Sequence, residues 1–173
     1  MSFSISGKTA IVTGAANGIG AAITAMAVRH GHEVVAADLD LPGLQARWVG
    51  QPRVQCRALD VRRADAWQSL VEAQEQGGFA IDVLINVAGV LRSGQTGELR
   101  PEDIDLTLDV NVKGVMLGAN AVARVMKTRR RGHIINIGSI ASLYATPGTT
   151  TYAASKFAVR GFSIAAAGDL SPY

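Results

Sequence analysis

A chain of 173 residues has the length of one domain, which usually runs to about 100–200 residues, and leaves no room for a second substantial one. Leu, Ile, Val and Phe supply 46 of the residues, above the floor of about 20% below which a chain stays disordered, so the core needs no disulfide or metal staple. Seventeen basic against fourteen acidic side chains give a net charge of only +3, and the one dense basic run, Arg129, Arg130 and Arg131, has no interleaved aromatic residues to stack bases. It reads as a solvated helix end, and nucleic acid is not expected as a partner.

Along the chain, short β-branched runs alternate with longer stretches of helical period, the signature of βαβ units and a parallel sheet. Strands are expected at residues 9–13, 33–38, 54–59, 83–86 and 133–137. Helices are expected over 18–30, 41–49 and 64–76, then in a long stretch, 101–130, that bends near Asn111, and lastly from about Thr151. Right-handed crossovers reduce the topologies to an α/β, doubly wound, Rossmann-like sheet in the order 3-2-1-4-5, with its ligand crevice at the carboxyl ends of the strands. Cys56 is the single cysteine, which rules out an internal disulfide framework and fits a reducing compartment. Residues 1–9 carry no apolar segment behind their charge, and no run of about 18 apolar residues occurs, so a soluble, cytoplasmic protein with no membrane partner is expected.

The segment Thr13-Gly14-Ala15-Ala16-Asn17-Gly18-Ile19-Gly20 falls between the first strand and the first helix. There glycine lets backbone approach a pyrophosphate, helix amides hold its charge, and Gly20 allows close contact between helix and strand. Three glycines alone make an ordinary tight turn as readily. Asp38 strengthens the functional reading, because a carboxylate at the end of the second strand can accept hydrogen bonds from an adenosine ribose and repels a 2′-phosphate. No Arg or Lys lies among Ala15, Ala16 and Asn17 or directly after Asp38, so NAD is expected over NADP.

Tyr152 and Lys156 stand four apart at the start of the last helix, which places them on one face at one edge of the crevice. A tyrosine working as acid or base near neutral pH must lose about three units from its ordinary value of about 10, or about 4 kcal/mol. One cation about 4 Å away at an effective dielectric near 20 supplies that much. Ser139, just beyond the fifth strand, reaches the same crevice and can hydrogen-bond a substrate oxygen, although serines after strands also serve as caps.

Taken together, these residues resemble the short-chain dehydrogenase/reductase family from Gly7 to Tyr173. The family's TGxxxGIG turn matches residues 13–20, its acidic residue after the second strand matches Asp38, and its Asp-Val after the third strand matches Asp60 and Val61. Its NNAG motif matches Asn86, Val87, Ala88 and Gly89, with Val87 where a second Asn is usual. The active-site Asn matches Asn111, the Ser matches Ser139, and the YxxxK pair matches Tyr152 and Lys156. The resemblance implies an NAD-dependent oxidoreductase that interconverts a secondary alcohol and a ketone by hydride transfer. Tyr152 would be the acid/base, Lys156 would hold the nicotinamide ribose, Ser139 would polarise the substrate oxygen, and Asn111 would hold a water of the proton relay. The cofactor would lie along Gly14, Asn17, Gly18, Ile19 and Gly20, then Asp38, Asp60, Val61, Asn86, Ala88 and Gly89, and finally Tyr152 and Lys156. A homodimer or homotetramer is implied, with 115–126 and 157–164 as contact faces, although core packing explains those faces nearly as well.

Family members continue for about half as long again, with two further strands and a substrate loop. The expectation is therefore a single NAD-binding domain over 1–173, C-terminally truncated or incomplete and lacking the last two strands. Without the loop, Val90, Leu91, Ala141, Leu143 and Tyr144 suggest only an apolar pocket wall for a small alcohol or carbonyl substrate. The alternative is a catalytically incompetent dinucleotide-binding fragment or scaffolding relative. A hydrolase built on Ser139 is disfavoured, because Gly-x-Ser-x-Gly is absent and His133 has no third partner. His30, His32 and His133 show no metal spacing, so no metal is expected.

Overall fold

The computed structural model describes residues 7–144 and 147–173, so the reading of residues 1–6 lies outside it. Five parallel strands, β1 (Thr9–Thr13), β2 (Glu33–Asp38), β3 (Val54–Ala58), β4 (Ile81–Asn86) and β5 (His133–Asn136), form one sheet in the order β3-β2-β1-β4-β5. All five residues of β1 are buried, as a central strand covered on both faces must be. Alternate side chains feed two cores: Ile11, Val35 and Leu84 face one layer, while Val12, Val34 and Ala36 face the other.

Helices α1 (Gly18–Arg29) and α2 (Leu41–Arg47) cover the second of these layers through Ile23, Ala27 and Leu44. The first layer is closed by α3 (Ala64–Gln76) and α5 (Gly114–Arg129), with the buried Trp67, Leu70 and Val122. Trp67 donates its indole N–H to the Val61 carbonyl at 3.0 Å. A Cβ on Gly118 would lie 2.6 Å from the Trp67 ring, so the absence of a side chain there is what lets α5 approach α3.

The long stretch before β5 is interrupted rather than gently bent. Between α4 (Pro101–Leu108) and α5 runs a π-helical turn, Asp109–Lys113, with Asn111 fully buried at its centre. Such turns insert an extra residue into a helix and redirect side chains, often at functional sites. A 3-10 turn (Ile140–Ser142) follows β5, and the 21-residue α6 (Thr150–Leu170) ends the chain.

Boundaries differ from the sequence reading where polar residues take unforeseen partners. β4 starts two residues early, because the Asp82 carboxylate accepts the Thr9 N–H at 3.2 Å and pairs with Arg131 at 3.1 Å, so a charge fits inside a buried strand. α2 stops at Arg47 because Trp48 is its C-cap and turns its indole N–H to the Ala15 carbonyl. β3 ends at Ala58, although the next residue, Leu59, still donates to the Asp38 carbonyl at 2.9 Å. Among the described residues, no helix is long and apolar enough to cross a membrane.

Candidate active site

The strand-to-helix turn after β1 is built around left-handed glycines. Gly14 and Gly18 take φ of +66° and +53°, and a Cβ on Gly14 would sit 3.0 Å from the Ala88 backbone. A Cβ on Gly20 would overlap the Gly14 carbonyl, whereas nothing lies within 4 Å of the Cβ position on Gly18, so that side of the turn is open. The turn is braced from behind. Trp48 donates to the Ala15 carbonyl at 3.3 Å, and Arg47 Nε donates to the Ala16 carbonyl at 2.5 Å. On the opposite side, the Ala16 N–H donates to Asp38 Oδ2 at 2.9 Å, and Asp38 Oδ1 accepts the Asp40 N–H at 3.0 Å.

In front of the turn is a cleft of about 490 Å³. It is lined by Gly14, Asn17, Gly18, Ile19 and Gly20, by Asp38, by Asp60 and Val61, and by Ala88 and Gly89. Leu39, Arg62, Leu106 and Val110 also line it, and none of these four stands out in the sequence. Asn86 does not line the cleft. Its side chain is buried, donating to Asn136 Oδ1 at 2.9 Å and to the Val115 carbonyl at 3.5 Å, so it joins β4 to β5 and α5. Thr13 Oγ1 accepts the N–H groups of both Val87 and Ala88 at 3.0 Å, holding the strand-end segment beside the turn. The Arg62 guanidinium forks onto Asp60 at 2.8 and 2.7 Å and holds that carboxyl below the ordinary range.

Ser139, Tyr152 and Lys156 lie beyond this cleft, at the carboxyl end of β5 and the start of α6. Lys156 is buried, and its Nζ donates to the Ile137 carbonyl at 2.8 Å while standing 5.7 Å from the centroid of the Tyr152 ring. Burial pushes the Lys156 ammonium below the ordinary lysine range. Ser139 caps the 3-10 turn by accepting the Ala141 N–H at 3.1 Å, which leaves its own hydroxyl proton to donate. Both Asn111 amide atoms are engaged: Oδ1 accepts the Val90 N–H at 2.8 Å, and Nδ2 donates to the Val90 carbonyl at 2.8 Å and to Ser155 Oγ at 3.1 Å. Ser155, fully buried, donates in turn to the Tyr152 carbonyl at 2.6 Å. The sequence reading missed this serine, although its place three residues after Tyr152 puts it on the same helix face.

The apolar wall is divided. Ala141 is buried and Val90 lines the cleft, but Leu91, Leu143 and Tyr144 stand exposed. His133 starts β5 and Ser139 lies past its far end, roughly 15–20 Å along extended chain, so the hydrolase arrangement does not form. Arg47 also escaped the sequence reading, since it reaches the turn from 31 residues away and no local pattern announces it.

A doubly wound sheet with a glycine turn and an acidic strand end facing one cleft at the strand termini defines a dinucleotide-binding α/β domain. The family model described as short chain dehydrogenase matches residues 8–173, and the chain belongs to that family. It is 37% identical over 163 residues to the 3-oxoacyl-[acyl-carrier-protein] reductase of Thermotoga maritima, covering 92% of this chain and 66% of the relative. It is 37% identical over 173 residues to the 3-alpha-(or 20-beta)-hydroxysteroid dehydrogenase of Mycobacterium tuberculosis (99% and 66%), and 39% identical over 165 residues to the D-threitol dehydrogenase of Mycolicibacterium smegmatis (93% and 64%). A solved structure from Novosphingobium aromaticivorans superposes with a TM-score of 0.93 at 28% identity, covering 99% of this chain and 66% of that one. The chain thus spans about two thirds of the length of the curated relatives it matches. Family membership carries with it a nicotinamide dinucleotide cofactor, NAD or NADP.

Proposed function

We propose that the protein is an NAD-dependent oxidoreductase that interconverts a secondary alcohol and a ketone. The observation that carries this reading is Lys156, buried, anchored to the end of β5 and set beside the Tyr152 ring. Lys156 ties α6 to the carboxyl end of β5, and Tyr152 is the group that exchanges a proton with the alcohol oxygen. When bound, the dinucleotide supplies the hydride chemistry. The open side of the Gly18 turn suits its pyrophosphate, and Asp38 suits an unphosphorylated ribose.

Ser139 donates to the substrate oxygen and Lys156 holds the nicotinamide ribose. The Asn111 amide nitrogen is fully used, so a relay water at this residue must sit on its main-chain carbonyl or on the second lone pair of Oδ1. The relatives named above are called a 3-oxoacyl-[acyl-carrier-protein] reductase, a hydroxysteroid dehydrogenase and a D-threitol dehydrogenase, names that share an alcohol carbon or the carbonyl it becomes. Exposed Leu108, Met116, Phe157 and Ile164 on α4, α5 and α6 support a homodimer or homotetramer, whereas Val115, Ala119, Val122 and Met126 of α5 belong to the core.

NAD reduction measured with a panel of secondary alcohols tests the reading. Tyr152→Phe is expected to abolish turnover while NAD binding stays within a few-fold. Turnover retained in that variant would refute the proton role, and NAD binding without turnover in the parent would favour a cofactor-binding scaffold.

A further inference from the structure

We propose that Arg47 and Trp48, at the end of α2, are positioning residues that set the Asp38 carboxylate for the ribose of the cofactor, acting through the main chain of Ala15 and Ala16. The inference rests on the dinucleotide reading above. Ala15 and Ala16 are buried, so their main-chain groups need partners within the protein. All four groups have one. Ala15 donates its N–H to the Ala37 carbonyl of β2 at 3.3 Å, and its own carbonyl accepts the Trp48 indole N–H at 3.3 Å. Ala16 donates its N–H to Asp38 Oδ2 at 2.9 Å, and its carbonyl accepts Arg47 Nε at 2.5 Å.

A trans peptide carries its C=O and the following N–H on opposite edges of one rigid plane, so fixing one aims the other. The peptide that joins Ala15 to Ala16 is therefore a strut, with the Trp48 indole at one edge and Asp38 Oδ2 at the other. Arg47 holds the next peptide by its carbonyl and so fixes Ala16 from its other side. The second oxygen of Asp38 is set by the start of the same helix. Oδ1 accepts the Asp40 N–H at 3.0 Å, while the Asp40 carboxylate caps α2 by accepting the Gly43 N–H at 3.0 Å. Thus α2 grips Asp38 from both ends, and fully buried Leu44 fixes the helix against the sheet. A carboxylate has about four acceptor sites, and these bonds use one on each oxygen. One stays open on each, in the cleft that Asp38 lines, where a ribose hydroxyl is accepted.

The test compares ADP-ribose with 2′-deoxy-ADP-ribose, which lacks the adenosine 2′-hydroxyl, by calorimetric titration into the full chain and into Arg47→Met, Arg47→Lys and Trp48→Phe. Arg47 is exposed and Trp48 half-buried, and circular dichroism melting confirms that each variant is folded. The parent is expected to prefer ADP-ribose about tenfold, the worth of one hydrogen bond to a charged acceptor. Arg47→Met and Trp48→Phe should each cut that preference to about threefold or less, whereas Arg47→Lys, which still donates to the Ala16 carbonyl, should keep it above about fivefold. Both ligands carry the same diphosphate, so a lost surface cation or a general loosening of the turn weakens them alike and leaves the ratio where it was. An unchanged ratio in either Arg47→Met or Trp48→Phe, or a lysine variant that falls as far as the methionine one, would overturn the proposal. A parent that binds the two ligands equally would overturn it as well while leaving the dinucleotide reading in place. A parent that binds neither would end that reading, and this inference with it.

Discussion

Replacing Asn111 by Ala would remove three hydrogen bonds, two to the Val90 backbone at 2.8 Å and one to Ser155 Oγ at 3.1 Å. At about 1 kcal/mol net for each bond, the expected loss of stability is about 3 kcal/mol, since Asn111 is fully buried and its partners are left facing a hole. Val90 is half-buried, so entering water would hold the loss nearer 3 than 5. Urea denaturation followed by circular dichroism reads this as a lowered midpoint at unchanged slope. Ser155→Ala removes one of the same bonds together with the donation to the Tyr152 carbonyl, so the double variant should cost about 1 kcal/mol less than the sum of the singles. A loss below about 1 kcal/mol for Asn111→Ala, or strict additivity in the pair, would refute the claim that this amide ties the π turn to the Val90 segment and to α6.

Gly118→Ala would drive a methyl group to 2.6 Å from the Trp67 ring and 3.0 Å from Asn86 Oδ1, and should cost about 1–3 kcal/mol in the same denaturation assay. Because burial lowers the Lys156 pKa, the unfolded chain holds that proton more tightly, so stability should climb with pH from the folded value up to the ordinary 10.5. Lys156→Met should flatten that climb in melts recorded between about pH 8 and pH 10.5, and an unchanged slope would assign it to other groups. Asp38→Ala should relax the proposed preference for NAD over NADP, measured as the ratio of the two dissociation constants, and an unaltered ratio would mean that another group reads the ribose.

The strand order and the placement of the glycine turn, Asp38, Tyr152 and Lys156 were legible in the sequence because each depends on a local pattern. Alternating β-branched runs, a helix start and a spacing of four residues need no distant partner to be read. The expected bend at Asn111 was legible only as an interruption. Its form as a π turn comes from the pairing of Asn111 with Val90 and Ser155, which no run of neighbours announces. Asn86 fits the cofactor motif by position, yet its side chain turns inward to Asn136, a contact 50 residues away. Arg47, Arg62 and Ser155 escaped notice for the same reason: an exposed arginine and a helical serine look ordinary until the tertiary structure supplies the Ala16 carbonyl, the cleft and the Asn111 amide. Asp82 misled in the other direction, since a charge inside an apolar run argues against a strand unless Thr9 and Arg131 are known to meet it.

The Asn86–Asn136 contact bears on how the chain avoids a mistake. β5 alternates between exposed and half-buried positions, a pattern that specifies pairing only weakly, and a slip by one residue would turn its faces over. The two asparagines are register partners, and Asn136 also donates to Ser163 Oγ at 2.9 Å. Only one alignment of β4, β5 and α6 satisfies all three side chains, so together they act as a three-part key for the strand. A chain misaligned by one residue would carry the Ile137 carbonyl about 3.3 Å from its place and leave Lys156 without its anchor. The polar contact at the end of the sheet therefore proofreads the assembly that sets Lys156 beside the Tyr152 ring.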